Sequence, residues 1–278
     1  MSPSQKDLLK ELDQLRRKLQ KLSRSVYEHS EPATPRTLDE VVTGIEECTE
    51  RGKFLRILKP AEEVWEDAPK FMDSYLEAIL EPVVRPVDAY KHLEELSVTN
   101  TEKVCYLDIE TTGLSSTPIF LVGLMYQRED KLVIDQLFAR DYSEEEAVLD
   151  FLASLLGDFE LIVTFNGESF DVPFINERMS YHRIPFKVEM SHIDLLYISR
   201  AIVGSILPNH KLQTLERHLI GRKRIGDIPG YDIPDAYHNF VRTGDAGQIG
   251  AILHHNRLDL ISMLQLVTVF LTQPESSG

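Results

Sequence analysis

Acidic side chains at three places in the chain have the chemistry and spacing of a site for divalent cations. The first pair, Asp108 and Glu110, lies in the segment YLDIETTGL at residues 106–114. Side chains on a β-strand alternate between faces, so both carboxylates point the same way. Like charges on one face of an apolar strand repel each other unless a cation lies between them. Carboxylate oxygens favour Mg²⁺ and Mn²⁺.

The second place is Asp171, which ends the segment FNGESFD at residues 165–171. This segment follows an apolar run typical of a buried strand, and open α/β sheets place ligands where such strands end. Asp171 also precedes a Val-Pro pair, so a helix N-cap is an equally good interpretation of it. As a ligand, its carboxylate would reach the same cation as Asp108.

The third place is Asp259, in the sequence HHNRLD of an otherwise apolar predicted helix. An aspartate buried there needs a cation or a hydrogen-bond partner. His255 is four residues before Asp259 and shares its helix face, whereas His254 is five before it and lies roughly 140° around the axis. A neutral histidine can act as a general base towards water. We therefore interpret His255 as the base and keep His254 as the alternative.

Charge and composition restrict the class of protein. The net charge of -15 on 278 residues argues against broad, non-specific binding to nucleic acid. A basic strip interrupts this acidity and is interpreted as a substrate groove or a solvated loop; its members are Arg200, Lys211, Arg217, Arg222, Lys223 and Arg224. The two cysteines have no metal-ligand spacing. The polar N-terminus and the lack of an apolar run of roughly 18 residues predict a cytoplasmic protein that does not contact a membrane.

The elements that must position these residues follow from hydrophobic periodicity. Strands are predicted at 103–109, 118–126, 131–139 and 160–165. Helices are predicted at 144–156, 172–182, 193–203, 211–219, 233–242 and 246–271. A capping box at Ser143–Glu146 would start the first of these helices. Asp194 lies at the start of the helix predicted at 193–203, and this position favours an N-cap over a metal ligand.

The first hundred residues carry no chemical motif. Apolar residues, five leucines and a valine, recur at spacings of three and four from Leu8 to Val26 and predict an amphipathic helix. This helix would dock on the rest of the protein, form a dimer, or bind a partner protein. A linker with two prolines ends at Arg36. Helices are predicted at 38–48 and 68–80, and a strand at 53–58. The predicted domains are residues 1–36 (helix and linker), 37–100 (an elaboration of the fold) and 101–273 (the catalytic domain).

Together, the three motifs resemble those of the DEDD superfamily of ribonuclease H-like 3′-to-5′ exonucleases. The segments RIGDIPGYDIP at 224–234, RTGD at 242–245 and HNRLD at 255–259 are similar to YprB-type ribonuclease H-like proteins. The resemblance implies an α/β fold, a ribonuclease H-like mixed sheet flanked by helices, with an N-terminal helical extension. Family members carry a tyrosine four residues before the last aspartate or a histidine five before it. This chain has histidine at both positions, so the resemblance leaves the base open.

The resemblance also implies a hydrolase that removes nucleotides from the 3′ end of DNA or RNA. Two divalent cations, Mg²⁺ or Mn²⁺, about 4 Å apart would be held by four carboxylates. These are Asp108, Glu110, Asp171 and Asp259. The residues that would contact the terminal nucleotide are Thr111, Thr112, Gly113 and Asn166.

Two other functions are compatible with the sequence. One is a structure-specific endonuclease of the same fold, and the other is a catalytically silent nucleic-acid-binding or scaffold module. The acidic quartet disfavours the silent module, because clustered like charges are costly without a cation. The sequence does not distinguish DNA from RNA or single strand from duplex, and it leaves the pathway, the oligomeric state and the role of residues 37–100 open.

Overall fold

A computed structural model describes residues 34–80, 89–224 and 226–272 of the protein. The chain divides into two compact units, Met1–Arg36 and Thr37–Gly278. The predicted helix over Leu8–Val26, with its dimer or partner contact, lies outside the described residues. All helices and strands named below belong to the second unit.

Seven strands form one mixed sheet. They are β1 Ile45–Thr49, β2 Gly52–Pro60, β3 Val104–Thr111, β4 Ile119–Arg128, β5 Lys131–Phe138, β6 Leu161–Thr164 and β7 Ser191–Asp194. Their spatial order is β1-β2-β5-β4-β3-β6-β7. Strands β1 to β5 pair antiparallel, whereas β6 runs parallel to β3 and β7 runs parallel to β6. The predicted mixed α/β sheet is confirmed.

Helices cover both faces of the sheet. They are α1 Leu38–Val41, α2 Ala68–Leu80, α3 Ala89–Val98, α4 Glu145–Leu156, α5 Asp171–Tyr181, α6 Leu195–Val203, α7 Leu212–Leu215, α8 Ile233–Thr243 and α9 Ile249–Thr272. Helices α4, α5 and α8 pack in one apolar core, and α2, α3 and α6 pack in a second. None of these described helices is long and apolar enough to cross a membrane.

Helix α9 joins the two cores, and this positions its polar residues. Its first turns bury Ile252 and Leu253 in the core shared with α4, α5 and α8. From Leu260 onwards its apolar side chains lie in the other core. The segment that contains the predicted histidine and aspartate therefore passes between the two cores, beside the inner strands β3 and β4.

Successive side chains of β3 point to opposite faces of the sheet, and this alternation sets the direction of its two carboxylates. Leu107 and Ile109 face one core, and Tyr106 faces the other. Asp108 and Glu110 share the face of Tyr106, because residues two apart on a strand point the same way. The prediction that both carboxylates lie on one face is therefore confirmed.

Two strands were not predicted. The helix predicted at 38–48 ends at Val41, and residues 45–49 instead form β1, which pairs with β2. Strand β7 has only four residues and pairs with β6. Both are short segments at the edges of the sheet, so their strand conformation depends on a neighbouring strand rather than on their own periodicity.

The predicted capping box at Ser143 is wrong. A short 3₁₀ turn over Tyr142–Glu144 precedes α4, and Asp141 caps that turn. Its carboxylate accepts bonds from the Ser143 backbone N–H at 2.8 Å and from the Ser143 hydroxyl at 2.5 Å. The serine hydroxyl is therefore engaged by an aspartate that lies two residues earlier.

A buried ion pair anchors the last turn of the helix that carries Asp171. Glu145, the first residue of α4, accepts the Ile119 N–H at 2.8 Å. The same carboxylate accepts bonds from Arg178 Nε at 2.8 Å and from Arg178 Nη2 at 2.5 Å. Because Arg178 belongs to α5, this carboxylate joins α4, β4 and α5.

Replacing Glu145 by alanine should lower the free energy of unfolding by about 3–5 kcal/mol, because Arg178 would remain buried without its counter-charge. Urea unfolding would measure the change. The control is Glu189→Ala, which removes an ion pair with Lys187 in which both side chains are exposed. Equal losses for the two variants would contradict the assignment.

Candidate active site

Four carboxylates from three elements lie near one end of the sheet, close enough for their charges to interact. Asp108 and Glu110 lie on β3, Asp171 begins α5, and Asp259 lies on α9. The charges of these groups interact, since repulsion by Asp259 raises the pKa values of the other three. The four acidic residues predicted from the sequence are therefore near enough to repel one another, and their role as metal ligands stays a prediction.

The surroundings of these groups disfavour negative charge. Burial raises the pKa of Asp108 and Glu110 well above the ordinary range, and repulsion by neighbouring carboxylates raises both further. Burial also raises the pKa of Asp171 to about 7, although the Ile109 N–H, which donates to Asp171 Oδ1 at 3.1 Å, opposes that rise. For Asp259, burial raises the pKa and Arg224 opposes the change. A positive charge would stabilise the ionised forms of these groups.

A buried asparagine orients Asp108. Asn256 Nδ2 donates to Asp108 Oδ2 at 2.8 Å, and Asn256 Oδ1 accepts from Gln136 Nε2 at 2.8 Å. Arg257 Nε in turn donates to Gln136 Oε1 at 2.7 Å. Gly123 lies opposite Asp108 on β4, and its lack of a side chain leaves room for Asn256. Sequence reasoning missed this contact, although Asn256 lies within the HNRLD motif.

The two histidines have different surroundings. His255 is buried, whereas His254 is exposed. The His255 Nδ1 atom lies 2.9 Å from Asp227 Oδ1, and its Nε2 atom lies 3.7 Å from Asp259 Oδ2. Helix α9 is continuous through this segment, so the spacing argument that placed His255 beside Asp259 is confirmed. Sequence reasoning assigned no role to Asp227, and its only signal was its place in the RIGDIPGYDIP segment.

The basic strip does not form a single surface. Arg222 points inward, where Nη1 donates to Ser262 Oγ at 3.0 Å and Nη2 donates to Gln265 Oε1 at 2.5 Å. Arg224 is also buried and donates to Asp259. The interpretation of the whole strip as a groove for substrate is therefore wrong for these two arginines.

Two other members of the strip lie beside the loop after β6. Arg200 and Lys211 are exposed and line a cavity of about 650 Å³ together with Phe165 and Asn166. Asn166 has a left-handed backbone with φ of 67° and an exposed side chain. A cavity with two cations thus adjoins the asparagine that was predicted to contact the nucleotide.

The turn after β3 is stabilised by its own hydroxyl groups. Thr111 Oγ1 donates to the Gly113 carbonyl at 2.6 Å, and Thr112 Oγ1 donates to the Pro118 carbonyl at 3.2 Å. These two threonines are buried. The bonds maintain the shape of the backbone beside the carboxylates.

Asp194 is an N-cap, as its position predicted. Its Oδ1 atom accepts from the Leu196 N–H at 2.9 Å at the start of α6. The same carboxylate also accepts the backbone N–H groups of Asn166 at 2.8 Å and Glu168 at 3.1 Å. It therefore fixes the loop after β6.

The chemistry of the donor set fits a hard divalent cation. Carboxylate oxygens are the preferred ligands of Mg²⁺ and Mn²⁺, and the pKa values of these four groups are raised by burial and mutual repulsion. Within residues 34–80, 89–224 and 226–272, no three histidine, cysteine or acidic side chains converge closely enough to form a ready-made metal site. One of the four carboxylates already has a positively charged partner in the protein, because the Arg224 guanidinium contacts Asp259.

Replacing Gly123 by alanine should displace the group that orients Asp108. The added Cβ would lie 2.1 Å from Asn256 Oδ1, and Asn256 is fully buried. We expect the free energy of unfolding to fall by about 1–3 kcal/mol, as is typical of overpacking. Thermal and urea unfolding would measure this, with Gly230→Ala as the control because its Cβ would meet no heavy atom within 4 Å. Indistinguishable stabilities would show that Asn256 can move without cost.

Comparisons of sequence identify the family to which this chain belongs. The sequence profile of the RNase H superfamily matches residues 105–271. The uncharacterized protein YprB of Bacillus subtilis (strain 168) is 31% identical over 173 residues, which are 60% of this chain and 41% of that protein. The family B DNA polymerase of the hyperthermophilic archaeon Pyrobaculum calidifontis superimposes with a TM-score of 0.49 at 18% identity, over 60% of this chain and 24% of the polymerase. The predicted ribonuclease H-like fold and YprB-type resemblance are confirmed, and the chain belongs to the RNase H superfamily.

Proposed function

We propose that this protein is a metal-dependent DEDD-type exonuclease that hydrolyses phosphodiester bonds from the 3′ end of DNA or RNA. The observation that carries the proposal is the mutual charge repulsion of four carboxylates on β3, α5 and α9 of an RNase H superfamily fold. These groups raise one another's pKa values, so the site has excess negative charge that a cation would neutralise.

The ligands for two divalent cations, Mg²⁺ or Mn²⁺, would be Asp108, Glu110, Asp171 and Asp259. Such cations lower the pKa of bound water and stabilise negative charge on a reacting phosphodiester. Two of the four ligands are oriented by bonds from the protein. Asn256 donates to Asp108, and the Ile109 N–H donates to Asp171. These bonds restrict the directions of the carboxylates before any substrate binds.

His255 is the proposed general base. Asp227 accepts a hydrogen bond when His255 Nδ1 carries the proton, which leaves Nε2 as the basic nitrogen. Nε2 is the atom that lies 3.7 Å from Asp259. His255 can therefore take a proton from water next to the carboxylates, and Asp227 would stabilise the imidazolium ion that forms.

The cavity beside Asn166 provides a path for the nucleic acid. Its volume of about 650 Å³ is within the usual range of ligand sites. Arg200 and Lys211 offer positive charge to phosphates, and Phe165 offers an apolar contact to a base. On a chain with a net charge of -15, this local charge supports binding of one strand rather than broad attachment to nucleic acid.

The proposal predicts metal-dependent shortening of nucleic acid from the 3′ end. Oligonucleotides of DNA and RNA, labelled at either end, would be incubated with Mg²⁺ or Mn²⁺ and separately with EDTA. We expect successive loss of 3′ nucleotides, no reaction in EDTA, and a decrease of orders of magnitude for Asp108→Asn. Activity that survives EDTA would contradict the proposal, and cleavage at internal positions would favour the endonuclease instead.

The same variant should keep its fold. The pKa of Asp108 is raised in the folded protein, so its ionised form destabilises the fold above the pKa of the unfolded chain. At pH 8, therefore, Asp108→Asn should melt at the same temperature as the parent or a higher one. The exposed Asp158→Asn serves as the control for both activity and melting. No nuclease activity in the parent with either metal, on either nucleic acid, would favour the silent binding module.

The histidines should differ in their contribution to the rate. His255→Ala should lower the single-turnover rate by roughly 10² to 10⁴, which is typical of the loss of a positioned base. His254→Ala should have little effect, because that side chain is exposed and is five residues before Asp259, roughly 140° around the helix. Rates at saturating metal would be compared for the two variants. A larger loss at His254 would overturn the assignment of the base.

A further inference from the structure

The Arg224 guanidinium is bound by three carboxylates at one end of the proposed metal cluster. Its Nε atom donates to Glu216 Oε2 at 2.8 Å, and Nη1 donates to Asp227 Oδ2 at 3.1 Å. The Nη2 atom contacts both Glu216 and Asp259. The side chain of Arg224 is only 5% exposed. A full positive charge is therefore fixed next to one of the four proposed metal ligands.

The position of Arg224 is set from the protein interior. Glu216 is buried at the start of the π-helical segment Glu216–Ile220, which continues α7. Its Oε1 atom accepts the Ser262 hydroxyl at 2.5 Å, and Ser262 Oγ accepts from Arg222 Nη1 at 3.0 Å. A planar guanidinium held on two sides by this chain of bonds has little freedom to leave.

The charge of Arg224 acts on two of the four carboxylates. It opposes the rise in the pKa of Glu110 and of Asp259. Among the described residues, by contrast, no arginine or lysine is bonded to Asp108 or Asp171, whose partners are Asn256 and a backbone N–H. The cluster thus has one end neutralised by the protein and one end without a counter-charge.

We propose that Arg224 acts as a built-in cation at the Asp259 end of the cluster, so that the free protein binds one divalent cation and not two. The inference rests on the proposed metal-dependent function and refines it. Asp259 Oδ1 already accepts from Arg224, and a divalent cation placed there would repel the guanidinium. A second cation at Asp259 therefore requires Arg224 to leave, whereas Asp108, Glu110 and Asp171 can bind one without this change.

The test needs a variant that removes Arg224 without leaving a buried charge. Arg224→Met alone would leave Glu216 buried without its counter-charge, which is destabilising. The double variant Glu216→Met/Arg224→Met removes the ion pair of Arg224 with Glu216, while Asp227 keeps His255 as a partner. Replacing a buried ion pair by apolar residues of similar size is often tolerated. Arg222→Met is the matched control. Arg222 is close to Arg224 in the chain and also points inward, but it donates to Ser262 and Gln265 and not to Asp259.

Bound Mn²⁺ would be counted by titration calorimetry and by electron paramagnetic resonance, on the full chain without nucleic acid. We expect one Mn²⁺ per chain for the parent and for Arg222→Met, and two for the double variant. Asp108→Asn should lose the single site of the parent. Two ions bound by the parent, or one ion bound by a folded double variant, would overturn the role of Arg224 while the metal-dependent function stands.

Other outcomes separate the two proposals. No Mn²⁺ bound by the parent or by the double variant would contradict the metal-dependent function itself. If circular dichroism shows that the double variant does not fold, Arg224→Lys replaces it. A lysine keeps a counter-charge for Glu216 but cannot span Glu216 and Asp259 as the guanidinium does. That variant should bind two ions, and a count of one would overturn the proposal.

Discussion

Repulsion between carboxylates that share one face of β3 is the constraint on which the rest of the site depends. Asp108 and Glu110 are two residues apart on a strand, so they cannot turn away from each other. The structure adds Asp171 and Asp259 to the same region, and burial raises the pKa values of all four groups. A fold that accepts this cost must supply positive charge or hydrogen bonds around the cluster.

Each carboxylate is supported by a different element. Asn256 on α9 donates to Asp108, and a backbone N–H of β3 donates to Asp171. Arg224 contacts Asp259. The supporting groups are themselves anchored, since Asn256 bonds Gln136 and Arg224 bonds the buried Glu216. The positions of the acidic groups therefore depend on packing between the sheet and α9 as much as on the strand that carries two of them.

Helix α9 connects stability to the proposed chemistry. Its apolar residues contribute to both hydrophobic cores, so its position relative to the sheet is fixed by burial on either side. The residues in between, including His255 and Asp259, then lie where β3 ends. A helix anchored at both ends holds the side chain of His255 more rigidly than a loop would, because its side chains cannot shift without disturbing packed neighbours.

Local geometry allowed part of this site to be predicted from the sequence alone. Alternation on a strand placed Asp108 and Glu110 together, and the helical repeat placed His255 on the face of Asp259. Neither inference needed a tertiary contact. The main strands also followed from periodicity, which is a property of consecutive residues, whereas the mixed sheet was predicted from the resemblance of the motifs to a known family.

Tertiary structure decided the rest, because those contacts join residues that are distant in the chain. Asn256 and Asp108 are 148 residues apart, and Arg224 and Asp259 are 35 apart. No local pattern distinguishes an arginine that points into an acidic cluster from one that faces solvent, so the basic strip suggested a surface that Arg222 and Arg224 do not form. The edge strands β1 and β7 were missed for the same reason, since a short strand is defined by the neighbour with which it pairs.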